Sequence, residues 1–183
     1  MTITEAPWRL SLEGEVIMCE LECLSPQALN LLCEGTIDAV CSHFDDRDSS
    51  FLVTDNSRRV WRRRRDQHVA NPDDQIWTTR IVRDLPTRAI IGRGGFHAKP
   101  DERGMVEIGY AIAPKFHRQG YGSAVVKVLL KVARGDARVK VVRASIRPDN
   151  WISRKIVTGY RFKKVGEQID EEDGLEEIFE CPM

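Results

Sequence analysis

Residues 105–123, MVEIGYAIAPKFHRQGYGS, restrict the folds open to this chain more than any other stretch. An apolar run suited to a strand gives way to a short basic loop with Gly120 and Gly122, and the loop passes directly into a helical pattern. There Ala124, Val125, Val128, Leu129 and Val132 recur at helical spacing, with Val126, Leu130 and Ala133 widening the apolar face. Gly135-Asp136 ends that helix, and Val139 to Ile146 reads as another strand. Strand, helix and strand in that order require a parallel pair joined by a right-handed crossover, with the helix packed on the sheet. The loop also has a chemical use. Glycine lets a backbone approach an anion closely, and the first turn of a helix offers unpaired N–H groups with a partial positive charge of roughly half a unit. The stretch therefore reads as an anion cradle at a helix that begins near Tyr121.

The flanks extend the sheet. Val16 to Leu24 alternates as a first strand, and Ser25-Pro26 suits a helix cap with proline at the first helical position. Helices should fill much of 26–70, with Asn56-Ser57 capping one that carries Arg58, Arg59, Arg62, Arg63, Arg64 and Arg65 and that ends at Asn71-Pro72-Asp73-Asp74. Gln75 to Val82, a turn at Asp84-Leu85-Pro86-Thr87, Arg88 to His97, a turn at Lys99 to Gly104, and Met105 to Ile112 predict an antiparallel meander. Pro148-Asp149-Asn150 starts a short helix to about Thr158, and a final hairpin, Arg161 to Glu167 and Leu175 to Cys181, closes around Glu171-Glu172-Asp173-Gly174. The expected class is α+β: a mixed, mostly antiparallel central sheet with helices on both faces, as a single domain over 1–183.

Composition narrows the partners. The 28 basic and 28 acidic residues cancel, so the whole molecule favours neither nucleic acid nor an anionic membrane. The arginines between 58 and 65 spread around a helix instead of forming one stripe, which reads as a solvated face; the acidic turn from Asp170 to Asp173 reads as a soluble hairpin tip that can also steer a cationic amine. No run approaches the roughly 20 apolar residues of a membrane span, and the N-terminus lacks a basic segment followed by an apolar one, so the expected location is cytoplasmic. Five cysteines without paired C-x-x-C spacing fit a reducing compartment. Four of them and His43 lie close together in sequence, but neighbours such as Leu21, Leu31 and Leu32 favour buried thiols, and no metal is expected.

With these elements in order, the sequence from about Ile90 to the C-terminus resembles the GNAT superfamily of N-acetyltransferases. VEIGYAIAPKFHRQGYGSAVV is similar to the family's acetyl-CoA-binding strand, loop and helix, in which Gln or Arg, two residues, Gly, one residue and Gly or Ala follow one another. Gly120 and Gly122 match, and His117 stands at the Gln or Arg position. RASIRPDNWISRKIVTGYRF is similar to the later strand and helix: Asn150, Ser153 and Phe162 match, while Arg161 replaces a usual glycine. VGEQIDEEDGLEEIFE resembles the terminal hairpin of the ribosomal-protein-N-acetyltransferase-like branch.

The resemblance implies an enzyme that moves an acetyl group from acetyl-CoA to a primary amine by direct attack in a ternary complex, with a catalytically idle acyl-CoA-binding module as the alternative. By the same resemblance, backbone N–H groups of Arg118, Gln119, Gly120, Tyr121, Gly122 and Ser123 hold the pyrophosphate, with His117 beside the phosphates. Tyr110, Ala111 and Ile112 pair with the pantetheine arm along a splayed strand, and Asn150 caps the later helix and bonds the pantetheine amides. A primary ammonium with a pKa near roughly 10 lacks a lone pair at neutral pH, so a base is needed. Glu107 matches a glutamate that serves this role in the family, and His97 is the alternative. Many members protonate the leaving thiolate with a tyrosine at the position of Val157; here Ser153 is the candidate acid and Tyr160 the fallback. Residues 26–70 are expected to form the acceptor wall, for a small molecule or a protein N-terminus. Dimerisation is common in the family, so a homodimer is compatible with the resemblance.

Overall fold

In the computed structural model, which describes residues 3–9 and 19–183, strand β5 (Met105–Ile112) leads through the glycine loop into α4 (Tyr121–Gly135) and on to β6 (Val141–Ile146). β5 and β6 pair in parallel, as the strand-helix-strand order demands. Around them lie β1 (Trp8–Arg9), β2 (Cys19–Glu22), β3 (Arg80–Asp84), β4 (Ile90–Phe96), β7 (Lys163–Asp170) and β8 (Gly174–Pro182). Among the described residues the sheet runs β1-β2-β3-β4-β5-β6-β8-β7, and every neighbouring pair other than β5 and β6 is antiparallel.

Two apolar clusters, one on each face, hold the helices. Val106, Ile108, Val142 and Ala144 pack with Val125, Leu129 and Ala133 of α4 and with Val157 of α5 (Trp151–Gly159). On the other face, Ile81 and Ile90 pack with Leu29 and Leu32 of α1 (Pro26–Glu34), Val40 of α2 (Ile37–Phe44) and Trp61 of α3 (Asp55–Ala70). The mixed sheet with helices on both faces is thus as expected. Because side chains alternate along a strand, Arg93 and His97 point toward the α1–α3 face together with Glu107, Gly109 and Ala111, whereas Tyr110 points toward α4.

Several local expectations change. Ser25 caps α1, its Oγ accepting from Ala28 N at 3.1 Å, but α3 is capped by Thr54, whose Oγ1 accepts from Ser57 N at 3.2 Å, instead of by Asn56-Ser57. Asn56 is thereby free to accept from Arg93, and Ser57 Oγ donates to Phe51 O at 2.8 Å. Gln75 to Thr79 is turn and not strand, because Asp74 gathers it: the Asp74 carbonyl accepts from Trp77 N and Thr78 N, and its carboxylate from Gln67 and Lys99 N. The expected strand from Val16 begins at Cys19 among the described residues; positions 16–18 lie outside them.

The β5–β6 pairing sets the site. It covers only Met105↔Val141, Val106↔Val142 and Glu107↔Arg143, while β5 continues to Ile112 against β4 alone. Glu107 O accepts from His97 N and Ala113 N donates to Ile91 O, so the alternating peptide groups of Ile108, Tyr110 and Ile112 face away from β4, into the gap.

Candidate active site

The gap opens into a cleft of about 330 Å³. Ile108 to Ala111 and Ala144 to Arg147 line it from the two diverging strands, and Asn150 and Ser153 from α5. Asn56, Arg59, Val60, Arg63 and Arg64 of α3 line it from the opposite face of the sheet, with Arg93, His97 and the acidic residues Glu172, Asp173 and Glu176 completing the walls. Residues from both faces of the sheet therefore line the cleft where the strands part.

Outside the cleft's lining, at the start of α4, Gly120 takes φ 88°, a left-handed conformation that suits glycine, and the helix has no side-chain cap. Its first N–H groups are consequently available to an anion. A Cβ at Gly122 would lie 3.1 Å from Ile156 and 3.6 Å from the Tyr110 ring, so the loop packs tightly beneath the gap. The side chains of this loop have other occupations. The Tyr121 ring is buried, donating from its hydroxyl to Asp84 Oδ1 at 2.8 Å, so only its backbone faces outward, and Lys115 pairs with Asp48 at 2.6 Å. His117 Nε2 bonds the carbonyl of Ile112 at 2.8 Å, which ties the exposed imidazole to the strand edge and removes one of the free groups expected there. Gln119 bonds Lys115 O at 3.1 Å, and the exposed Arg118 adopts φ 58°.

In the middle of the cleft the Tyr110 hydroxyl is buried without a hydrogen-bond partner. Burial raises its pKa, and the Ser153 side chain offsets part of that shift. A phenol in this state holds its proton and has nothing to give it to, which fits a ligand atom that is an acceptor. Asn150 caps α5, its Oδ1 accepting from Ser153 N at 3.1 Å. Val157 is fully buried in the core and does not reach the cleft, so a tyrosine could not simply replace it. Tyr160 is also committed elsewhere: its hydroxyl meets Ser123 Oγ at 2.9 Å and Ser123 O at 3.1 Å, bracing the first turn of α4 in place of serving as an acid.

His97, and not Glu107, is the titratable group of this pair that lines the cleft. Its ring lies over Gly109, where a Cβ would come within 2.6 Å of Nε2, and Glu107 Oε1 stands behind it, 3.7 Å from Nδ1. Burial, then the Arg64 and Arg63 guanidiniums, pushes the imidazole down to about 4, so it is neutral at pH 7. Its side chain is 43% accessible, so part of the ring stays open to solvent.

The arginine helix departs most from expectation. Arg62 is exposed, but Arg58 donates to the carbonyls of Cys33, Gly35 and Val53, locking the end of α1, and Arg64 is only 6% exposed, bonding Thr79, Gln67 and His97 O. Arg63 and Arg59 reach across the cleft to Glu172 at 2.6 and 3.7 Å, so the acidic turn and the basic helix close on each other. Trp61 anchors α3 face-down on the sheet and carries Arg64, one turn on, into protein, while Arg59, Arg62 and Arg63 stay exposed. Neither Arg93 nor the side chain of Tyr110 stood out from sequence as a site residue; a single charge within Ile90-Ile91-Gly92-Arg93-Gly94-Gly95-Phe96 was the available signal.

Among the described residues no group of three or more His, Cys, Asp and Glu side chains is placed to hold a metal, and no helix is long and apolar enough to cross a membrane. Comparison with known proteins agrees with this fold. An N-acetyltransferase of Bacillus subtilis, named Uncharacterized N-acetyltransferase YoaA, is 30% identical over 80 residues, 44% of this chain; the match spans about half the length of that relative, 45%. The ribosomal-protein-S5-alanine acetyltransferase of Vibrio fischeri superposes with a TM-score of 0.64 at 15% identity, over 95% of this chain and 96% of that one. RimJ of Mycobacterium smegmatis, solved with a CoA disulfide, superposes with a TM-score of 0.62 at 13% identity, over 91% and 82%. Residues 34–163 match the acetyltransferase (GNAT) domain, more than half of the sequence, and the chain belongs to that family.

Proposed function

We propose that this protein transfers an acetyl group from acetyl-CoA to a primary amine by direct attack within a ternary complex. The observation that carries the reading is the cleft where β5 and β6 part: an uncapped helix start lies on one face, the α3 wall on the other, and unpaired strand groups between them. The N-terminus of α4 from Gly120 to Ser123 would hold the pyrophosphate. The gap-facing peptide groups of Ile108 and Tyr110 offer the pantetheine arm a strand edge, and an N–H there would polarise the thioester carbonyl; such donors are typically worth about 2.7–4 kcal/mol.

Proton traffic follows from the side chains already placed. His97 accepts a proton from the attacking nitrogen as the C–N bond forms, with the Glu107 side chain 3.7 Å behind Nδ1. Tyr110 donates to the departing sulfur, with Ser153 beside it. Covalent transfer through a cysteine has little support: burial raises the thiol pKa of Cys19, Cys23, Cys33 and Cys181, that of Cys19 to about 12, and none of them lines the cleft.

Calorimetry with acetyl-CoA, combined with thiol release against a panel of primary amines, tests the function. Binding together with amine-dependent thiol release is the expected result; binding without turnover on any amine would leave an acyl-CoA-binding module instead. Within this scheme Tyr110→Phe should keep acetyl-CoA affinity and lower kcat by about 10²-fold, the low end for a general acid, because a thiolate is itself a fair leaving group. An unchanged kcat in a chemistry-limited assay removes Tyr110 as the donor.

A further inference from the structure

Among the described residues, Arg93 is a buried cation without an anion. It is 7% exposed, its Nε has no hydrogen-bond partner, and its described hydrogen bond runs from Nη2 to the neutral Asn56 Oδ1 at 2.9 Å. Its guanidinium carbon lies 5.7 Å from the Phe51 ring centroid, and the charges that act on it, Arg59 and Arg64, are also cations. A buried charge is normally paired, since leaving water uncompensated costs several kcal/mol. The other arginines of the region are accounted for: Arg59 and Arg63 meet Glu172, Arg147 meets Asp149, and Arg64 donates to three neutral acceptors. Arg80, buried with a free Nε as well, lies outside the cleft and is occupied by three backbone carbonyls and the Trp8 ring.

Position decides which ligand Arg93 awaits. It lines the cleft from the sheet face shared with His97 and covered by α3, whereas the helix start suited to a pyrophosphate belongs to α4 on the other face. We propose that Arg93 binds an oxyanion carried by the acceptor itself, so that the acceptor is a small amine bearing a carboxylate or a phosphate. The inference takes the amine-acceptor reading above as its starting point. Smallness follows from the walls: about 330 Å³ is at the lower end for ligand sites, and the Arg63–Glu172 pair bridges α3 to the β7–β8 turn. Asp173 and Glu176 on the opposite wall supply the complement for the ammonium group before it loses its proton. Recognition is thus by charge at both ends, with the guanidinium fork fixing the anion.

Matched pairs of probes test this: 4-aminobutyrate against butylamine for a carboxylate, and O-phosphoethanolamine against ethanolamine for a phosphate. The wild-type protein, saturated with acetyl-CoA, should show kcat/KM at least about 10-fold higher for the anionic member of one pair, the magnitude of a charge-assisted hydrogen bond. The pair that shows it identifies the oxyanion. Arg93→Met should erase that preference, and Arg93→Lys should restore part of it. Equilibrium binding of the same four probes decides the question independently of turnover: tighter binding of an anionic member that depends on Arg93 supports the inference. Equal binding within both pairs overturns it, and acetyl-CoA binding measured alongside shows whether the acetyltransferase reading falls with it.

Discussion

His97→Gln should lower kcat/KM for amine acetylation by about 10²- to 10⁴-fold, the usual range for loss of a general base, with acetyl-CoA affinity unchanged. The expectation rests on place before pKa. The imidazole lines the cleft on the α3 side, Glu107 lies 3.7 Å behind it, and among the described residues no other neutral nitrogen base lines the cleft. Held at about 4, the ring is a weak base but an always available one, and the proton on nitrogen becomes acidic as the C–N bond forms. Glu107→Gln should have a smaller effect, because it removes the carboxylate behind the ring and not the acceptor of the proton. Gly109→Ala gives a control through space: its Cβ would lie 2.6 Å from Nε2, so the ring must shift while the strand remains, and kcat should fall with little change in denaturation midpoint.

The same depression sets the pH behaviour. The unfolded chain protonates His97 near 6.5 and the folded protein near 4, so between those values the unfolded state binds more protons. The contribution of this residue to stability is complete above about 6.5 and is lost as pH falls toward 4. Activity corrected for ionisation of the amine should accordingly show no break between pH 8 and 6. A break at about 6.5 that disappears in His97→Gln would place the ring in an ordinary aqueous setting and refute the geometry argued for it.

Trp61→Ala should destabilise the fold by about 3–5 kcal/mol, the range for deleting a large aromatic from a core. Trp61 is fully buried in the cluster beneath α3, and its indole N–H donates to Leu52 O at 2.9 Å. Alanine would leave both a cavity and an unpaired carbonyl. Trp61→Phe fills most of the space and loses the hydrogen bond, so it should cost less. Chemical denaturation measures both; a loss below about 1 kcal/mol for the alanine variant would mean that α3 is held by its arginines instead of its core. The consequence for the site is direct, since Asn56, Arg59, Arg63 and Arg64 reach the cleft only because Trp61 seats their helix.

Much of this was legible in the chain. The helical spacing from Ala124 to Ala133 and the strands beside it are local patterns, and local patterns with short connections prescribe the β5–α4–β6 unit almost without alternatives. The glycine loop announces itself because only a few residue types tolerate its backbone. The turn at Gln75 to Thr79 was hidden: an alternating sequence reads as a strand until Asp74, through contacts to Gln67 and Lys99, bends it. Charged residues were the least readable. Arg62 and Arg64 look alike on a helical wheel drawn for solvent, yet one is exposed and the other buried, because burial depends on where Trp61 lands.

By itself the sequence determined the class of fold, the parallel crossover and the glycine turn at Gly120 and Gly122 that opens α4, all of which depend on backbone conformation and on periodicity over a few turns. Tertiary structure alone decided that His97 stands in front of Glu107 and that, among the described residues, the Tyr110 hydroxyl is buried without a partner and Arg93 has no counter-ion. Those facts concern side chains from segments distant in sequence that meet where β5 and β6 part. Proton affinity and ion pairing depend on the distance between such groups and on the water excluded around them, and neither quantity exists until the sheet has closed over the site.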